Sequence, residues 1–187
     1  RLLLSGQDIG YWDRDENYYA ELLHAGYVQD DAFSQAAHGL EGDILAGIEL
    51  DIAAVDAYKL LDAPDVIEAA DETGVPVAGY DLPGRVASLR VEDRGYRLVY
   101  LAFRLEGSGP GAARARTLER ALAWLSAPAL EKRMEPDAVA PGGTLSVTLT
   151  LHNPLSTARS VTLWDPLPAS TSYVEGSSAG GATYDPV

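Results

Sequence analysis

The chain contains no cysteine. Disulfides, thiolate zinc sites and a cysteine nucleophile are therefore excluded together. Lysine is almost absent: Lys59 and Lys132 are the only two among 14 basic residues, and the rest are arginine. Histidine occurs three times, at His24, His38 and His152, with no His-x-x-x-His spacing. Zinc chemistry on one helix face has no ligand set here. There is no Walker lysine, so the P-loop pattern is not met. No apolar run approaches the roughly 20 residues that span a bilayer, and no signal peptide is visible.

What is present is acid. The formal net charge is −14, from 28 acidic and 14 basic residues. Such a surface repels phosphate backbones and anionic membranes, so nucleic-acid binding and membrane insertion are not expected. It suits a soluble protein or one that collects divalent cations. Hydrophobic residues make up 47%, enough for a packed core.

Periodicity divides the chain near Pro128. Before it, Leu2-Leu3-Leu4-Ser5 reads as a buried strand ended by Gly6. Residues 13–17 are polar and cap a helix carrying Tyr18, Tyr19, Leu22, Leu23 and His24, which Gly26 stops. Residues 30–60 read as mixed strand and loop, and 64–72 as a short helix or a loop. Ala87, Leu89 and Val91 alternate with polar residues, and Arg97, Val99, Leu101 and Phe103 follow on the opposite phase; with Asp93-Arg94-Gly95 between them, they predict a β-hairpin. Gly107, Gly109 and Gly111 read as a linker. Pro110 then precedes a helix whose Leu118, Leu122 and Leu125 share a face beside Trp124. After Pro128 the helical period is lost. Leu145, Val147, Leu149 and Leu151 alternate with polar residues as a half-buried strand, and Val161 with Leu163 predicts another.

The second segment resembles an Ig-like repeat domain of unknown function found in bacterial surface and exported proteins. The resemblance rests on residues 139–153 (VAPGGTLSVTLTLHN), 161–168 (VTLWDPLP), 171–176 (TSYVEG) and 184–187 (YDPV). The first segment looks like the C-terminal part of a class I glutamine-amidotransferase-like domain of peptidase-associated exported proteins. That resemblance rests on residues 2–9, 22–30 and 97–107 and on the helix with Leu118. The active family places a nucleophilic cysteine in the turn after a central strand. Gln7 stands in the corresponding turn, and Arg104 rather than histidine lies two before Glu106, so glutaminase activity is not implied.

The expected architecture is an α/β, flavodoxin- or amidotransferase-like three-layer module at 1–127, followed by an all-β Ig-like sandwich at 128–187. The sandwich is expected to be partial, since such a fold needs roughly 100 residues. The chain is expected to be a piece of a larger secreted or cell-surface protein, with a non-catalytic structural or interaction role, accessory to a peptidase elsewhere in the parent. Its expected partners are other domains of that parent and further copies of itself, through an exposed edge strand.

Two alternatives assign residues. A carbohydrate-binding reading uses the aromatic cluster of Tyr11, Trp12, Tyr18, Tyr19 and Tyr27, a cluster that also suits core packing. A degenerate hydrolase-like reading places a ligand at Gln7, Asp8 and Glu106, at the carboxyl end of a parallel strand. No cofactor is required, but Asp13-Arg14-Asp15-Glu16-Asn17 has the Asp-x-Asp-x-Asn spacing that opens calcium loops. Against that stand Tyr18 at the expected glycine and His24 at the twelfth position; helix capping by Asp13 or Asp15 is the competing account.

Overall fold

The computed structural model describes residues 1–53, 63–153, 158, 160–180 and 182–183. The chain forms two units, Arg1–Ser156 and Thr157–Val187. The first is mostly β-sheet with few helices. Its hairpin of β7 (Val86–Asp93) and β8 (Tyr96–Leu101) is the one expected from alternation. The turn needs positive φ at both central residues, and Arg94 and Gly95 adopt 40° and 86°. On β8, Leu98 and Tyr100 point to one face and Val99 and Leu101 to the other, and all four are fully buried. A strand covered on both faces reads as a continuous apolar run.

Around this hairpin a sheet of eight strands curls. Strand β1 (Leu2–Ser5) pairs with β8 in parallel, with Leu3 opposite Val99 and Leu4 opposite Tyr100. On the other side of β7 come β6 (Gly74–Tyr80), β3 (Ala36–Gly39) and β4 (Glu49–Asp51), all antiparallel. Strand β5 (Val66–Ala69) joins β7 at a single register position, Ile67 opposite Val86, and pairs with β2 (Ala25–Gln29).

Several expectations change. Residues 66–69 are a strand rather than a helix or loop. Two five-residue helices, α1 (Ile9–Asp13) and α2 (Asn17–Glu21), replace the single expected helix. Gly26 therefore lies inside β2 and stops nothing, and His24 occupies the turn before that strand with φ 49°. Neither Asp13 nor Asp15 caps α2, whose N-cap is Glu16 without a side-chain bond. Of the expected strand and loop over 30–60, positions 54–60 lie outside the described residues.

Helix α3 (Gly111–Leu125) follows Pro110 as expected, but on a different face. It buries Ala113, Thr117, Ala121 and Leu125 at four-residue steps. Leu118 and Leu122 face solvent, Leu122 at 54% exposure. Small side chains let the helix lie close on Val99 and Leu101, and the leucines would hold it away. Buried Arg97 closes its C-terminal end, donating to the carbonyls of Trp124 and Ala127 at 2.9 Å each and to Glu92 at 2.7 Å.

Beyond α3, β9 (Ala129–Glu135) and β10 (Ser146–His152) form an antiparallel two-stranded sheet of their own. The expected strand through Leu145 to Leu151 is present, entered one residue later. In the second unit, Val161 and Leu163 form no strand among the described residues. Among the described residues no ladder partner pairs their backbone. Positions 184–187, which carried part of the Ig-like resemblance, lie outside the described residues.

Candidate functional site

An acidic cluster lies beyond the carboxyl end of β1. Ser5 secures this end: its hydroxyl donates to the Phe103 carbonyl at 2.9 Å and accepts the Leu105 N–H at 3.0 Å. The chain then turns through Gly6, Gln7 and Asp8, and Asp8 takes φ 63° before α1 begins. Asp65 reaches the same place from the start of β5. Its N–H donates to the Ala102 carbonyl at 3.1 Å, and the Tyr80 hydroxyl donates to the Asp65 carbonyl at 3.0 Å. Asp30, just past β2, is the third member. One carboxylate oxygen from each of Asp8, Asp30 and Asp65 lies within 4.8 Å of the others.

Asp65 is fully buried. Its Oδ2 accepts the N–H groups of Gly10 at 2.7 Å and Tyr11 at 3.2 Å; its Oδ1 has no hydrogen-bond partner among the described residues. Burial pushes its carboxyl up to about 6, against the two backbone N–H groups and with the charges of Asp8 and Asp30. Removing an ionised group from water favours the neutral form, and like charges add to this. Two further buried hydroxyls belong to Tyr19 and Tyr100, whose side chains interact with each other. Burial pushes Tyr19 up to about 12 and Tyr100 well above the ordinary tyrosine range. Gly10 closes the wall: a Cβ there would stand 2.5 Å from Tyr19 Oη, 2.9 Å from Tyr27 Cδ2 and 3.0 Å from Asp65 Oδ2.

No family model, curated protein or solved structure matches the chain. The site therefore has to be interpreted from its own chemistry. Three carboxylates beside buried hydroxyls offer hard oxygen donors and a place for a proton.

Of the residues singled out in sequence, Asp8 enters this cluster and Gln7 lies beside it in the turn. Glu106 does not join it; it is exposed on the loop after β8. Tyr11 and Trp12 are exposed, Trp12 at 75%, but their rings meet edge to face at 89° and do not form a flat shelf. The Arg14 guanidinium lies over Tyr11 and Tyr27 at 5.3 and 5.1 Å. Asp13, Asp15 and Asn17 line the turn between α1 and α2 and the start of α2, where the Asp13 carboxylate accepts the Tyr18 hydroxyl. Asp30 and Asp65 escaped the sequence reading. Neither belongs to a motif; the pairing of β2 with β5 brings their strands together, and the bonds from the Gly10 and Tyr11 N–H groups tie Asp65 to the turn of Asp8.

His24 belongs to a separate, structural network. It lies 2.7 Å from Asp71 through Nδ1 and 2.9 Å from the Tyr96 hydroxyl through Nε2. Tyr96 in turn donates to the Leu22 carbonyl at 3.0 Å. The hydrogen bond from His24, with that from the Thr73 N–H, holds the Asp71 carboxyl below its ordinary value. These bonds fix the tight turn between α2 and β2.

Proposed function

We propose that the chain is a non-catalytic structural and interaction region of a larger exported protein, joining a module related to amidotransferase-like α/β domains to an Ig-like β module. The parallel β1–β8 pair, with helices packed beside it, supports the α/β kinship. The antiparallel hairpin of β9 and β10 supports the Ig-like kinship. A role beside a peptidase rests on the sequence resemblance.

One observation carries the interaction role. The register of β9 with β10 sets Leu130 opposite Leu151, Lys132 opposite Leu149 and Met134 opposite Val147, all on one face. Leu130, Met134, Val147 and Leu151 are exposed there. A two-stranded sheet is marginal in water without cover on its apolar face, and contiguous exposed apolar surface marks an interaction site. Its occupant is a second copy of the chain, since the face is self-complementary in its apolar pairs and both edges are open to another strand among the described residues.

Light scattering on the full chain tests this. The wild type should gain mass with concentration, and a Leu130→Glu, Leu151→Glu variant should stay monomeric with the eight-stranded sheet intact. A wild type that is strictly monomeric at the highest attainable concentration overturns the reading.

A further inference from the structure

We infer that Asp8, Asp30 and Asp65 form a calcium site at the carboxyl end of β1, distinct from the Asp13-x-Asp15-x-Asn17 spacing.

The geometry fits the ion. Calcium holds oxygen ligands at about 2.3–2.6 Å, so oxygens on opposite sides of it stand about 4.6–5.2 Å apart. The three carboxylates, with one oxygen each within 4.8 Å of the others, can meet a single ion with little movement. Magnesium, at about 2.0–2.1 Å, demands a tighter and more regular shell. Exposure is graded across the site: Asp30 is open, Asp8 half-buried and Asp65 fully buried. An ion can enter from the Asp30 side.

A separate observation points to a ligand. Two N–H groups occupy Asp65 Oδ2, but Oδ1 is buried without a donor among the described residues. The buried Tyr19 hydroxyl lies against Gly10 on the same wall as Asp65 Oδ2. Buried charges in proteins are paired or coordinate metals. Among the described residues no lysine, arginine or histidine forms an ion pair with Asp65. The groups that act on it electrostatically besides its N–H donors are Asp8 and Asp30, both acidic. A divalent cation neutralises this excess and supplies the partner that Oδ1 lacks.

Three carboxylates, one of them exposed, place the affinity in the weak class, a dissociation constant of about 10⁻⁴–10⁻³ M. Calcium titrated into the full chain by calorimetry should saturate at one ion. Terbium in its place should luminesce when excited through Tyr11, Tyr19 and Tyr27, which surround the site. Asp8→Asn and Asp30→Asn, at positions that are not fully buried, should keep the fold by circular dichroism and weaken binding at least about tenfold. Asp13→Asn with Asp15→Asn should bind like the wild type. The inference is overturned by a folded wild type that shows no saturable calcium binding up to about 10 mM, by Asp8→Asn and Asp30→Asn variants that bind unchanged, or by binding that is lost with Asp13 and Asp15.

Discussion

At the residue scale, Asp65 makes the protein sensitive to mild acid in an unusual direction. Its folded-state value of about 6 lies above the unfolded 3.8, so between these values the folded chain binds more protons than the unfolded one. Stability then falls as pH rises through that window, and the penalty is complete above about pH 6. Two units correspond to about 3 kcal/mol. Asp65→Asn removes the penalty, because its carbonyl oxygen can still accept from Gly10 and Tyr11 and its amide can donate toward Asp8 and Asp30. Denaturant unfolding at pH 4 and pH 7, with divalent ions chelated, should show the variant gaining on the wild type by up to about 3 kcal/mol at the higher pH. Parallel pH profiles for the two proteins would refute the assignment. Gly39 is a second sensitive position: a Cβ there would lie 1.7 Å from the Leu45 carbonyl oxygen. Gly39→Ala has to displace backbone, and a loss of about 3 kcal/mol or more in urea unfolding is expected.

At the scale of elements, α3 shows where a hydrophobic pattern leads correctly and where it does not. Leu118, Leu122 and Leu125 located the helix, because leucines at helical spacing are rare outside one. They did not identify its buried face, because Ala113, Thr117 and Ala121 carry little hydrophobic signal and yet pack closest. The two assignments predict opposite outcomes. Leu122→Ala should change stability by less than about 0.5 kcal/mol, whereas Ala121→Leu should cost about 1–3 kcal/mol through overpacking; thermal melts of both variants decide. The β7–β8 hairpin was legible because its alternation and its Arg94-Gly95 turn are local. Strand β5 was not, since its pairing with β2 depends on residues about 40 positions away. The acidic site was half legible for the same reason. Asp8 sits where ligands gather in open sheets, but Asp30 and Asp65 are ordinary aspartates until the sheet forms.

At the scale of the whole molecule, a net charge of −14 on 187 residues means the folded surface repels itself. Screening shortens the reach of that repulsion to about 8 Å at physiological salt. The melting temperature should therefore rise as sodium chloride goes from a few millimolar to about 0.15 M, and a melt that is flat or falls with salt would contradict this. Strand β1 has a temporal consequence. Its strand partner among the described residues is β8, with Leu2 beside Leu98, whereas β7 and β8 are neighbours in the chain. The hairpin can form early and locally, but β1 cannot dock until nearly a hundred further residues have been made. On a ribosome working at about 5–20 residues per second, that wait lasts about 5–20 s. During this time an apolar Leu2-Leu3-Leu4 segment is free to meet a chaperone or a neighbouring nascent chain.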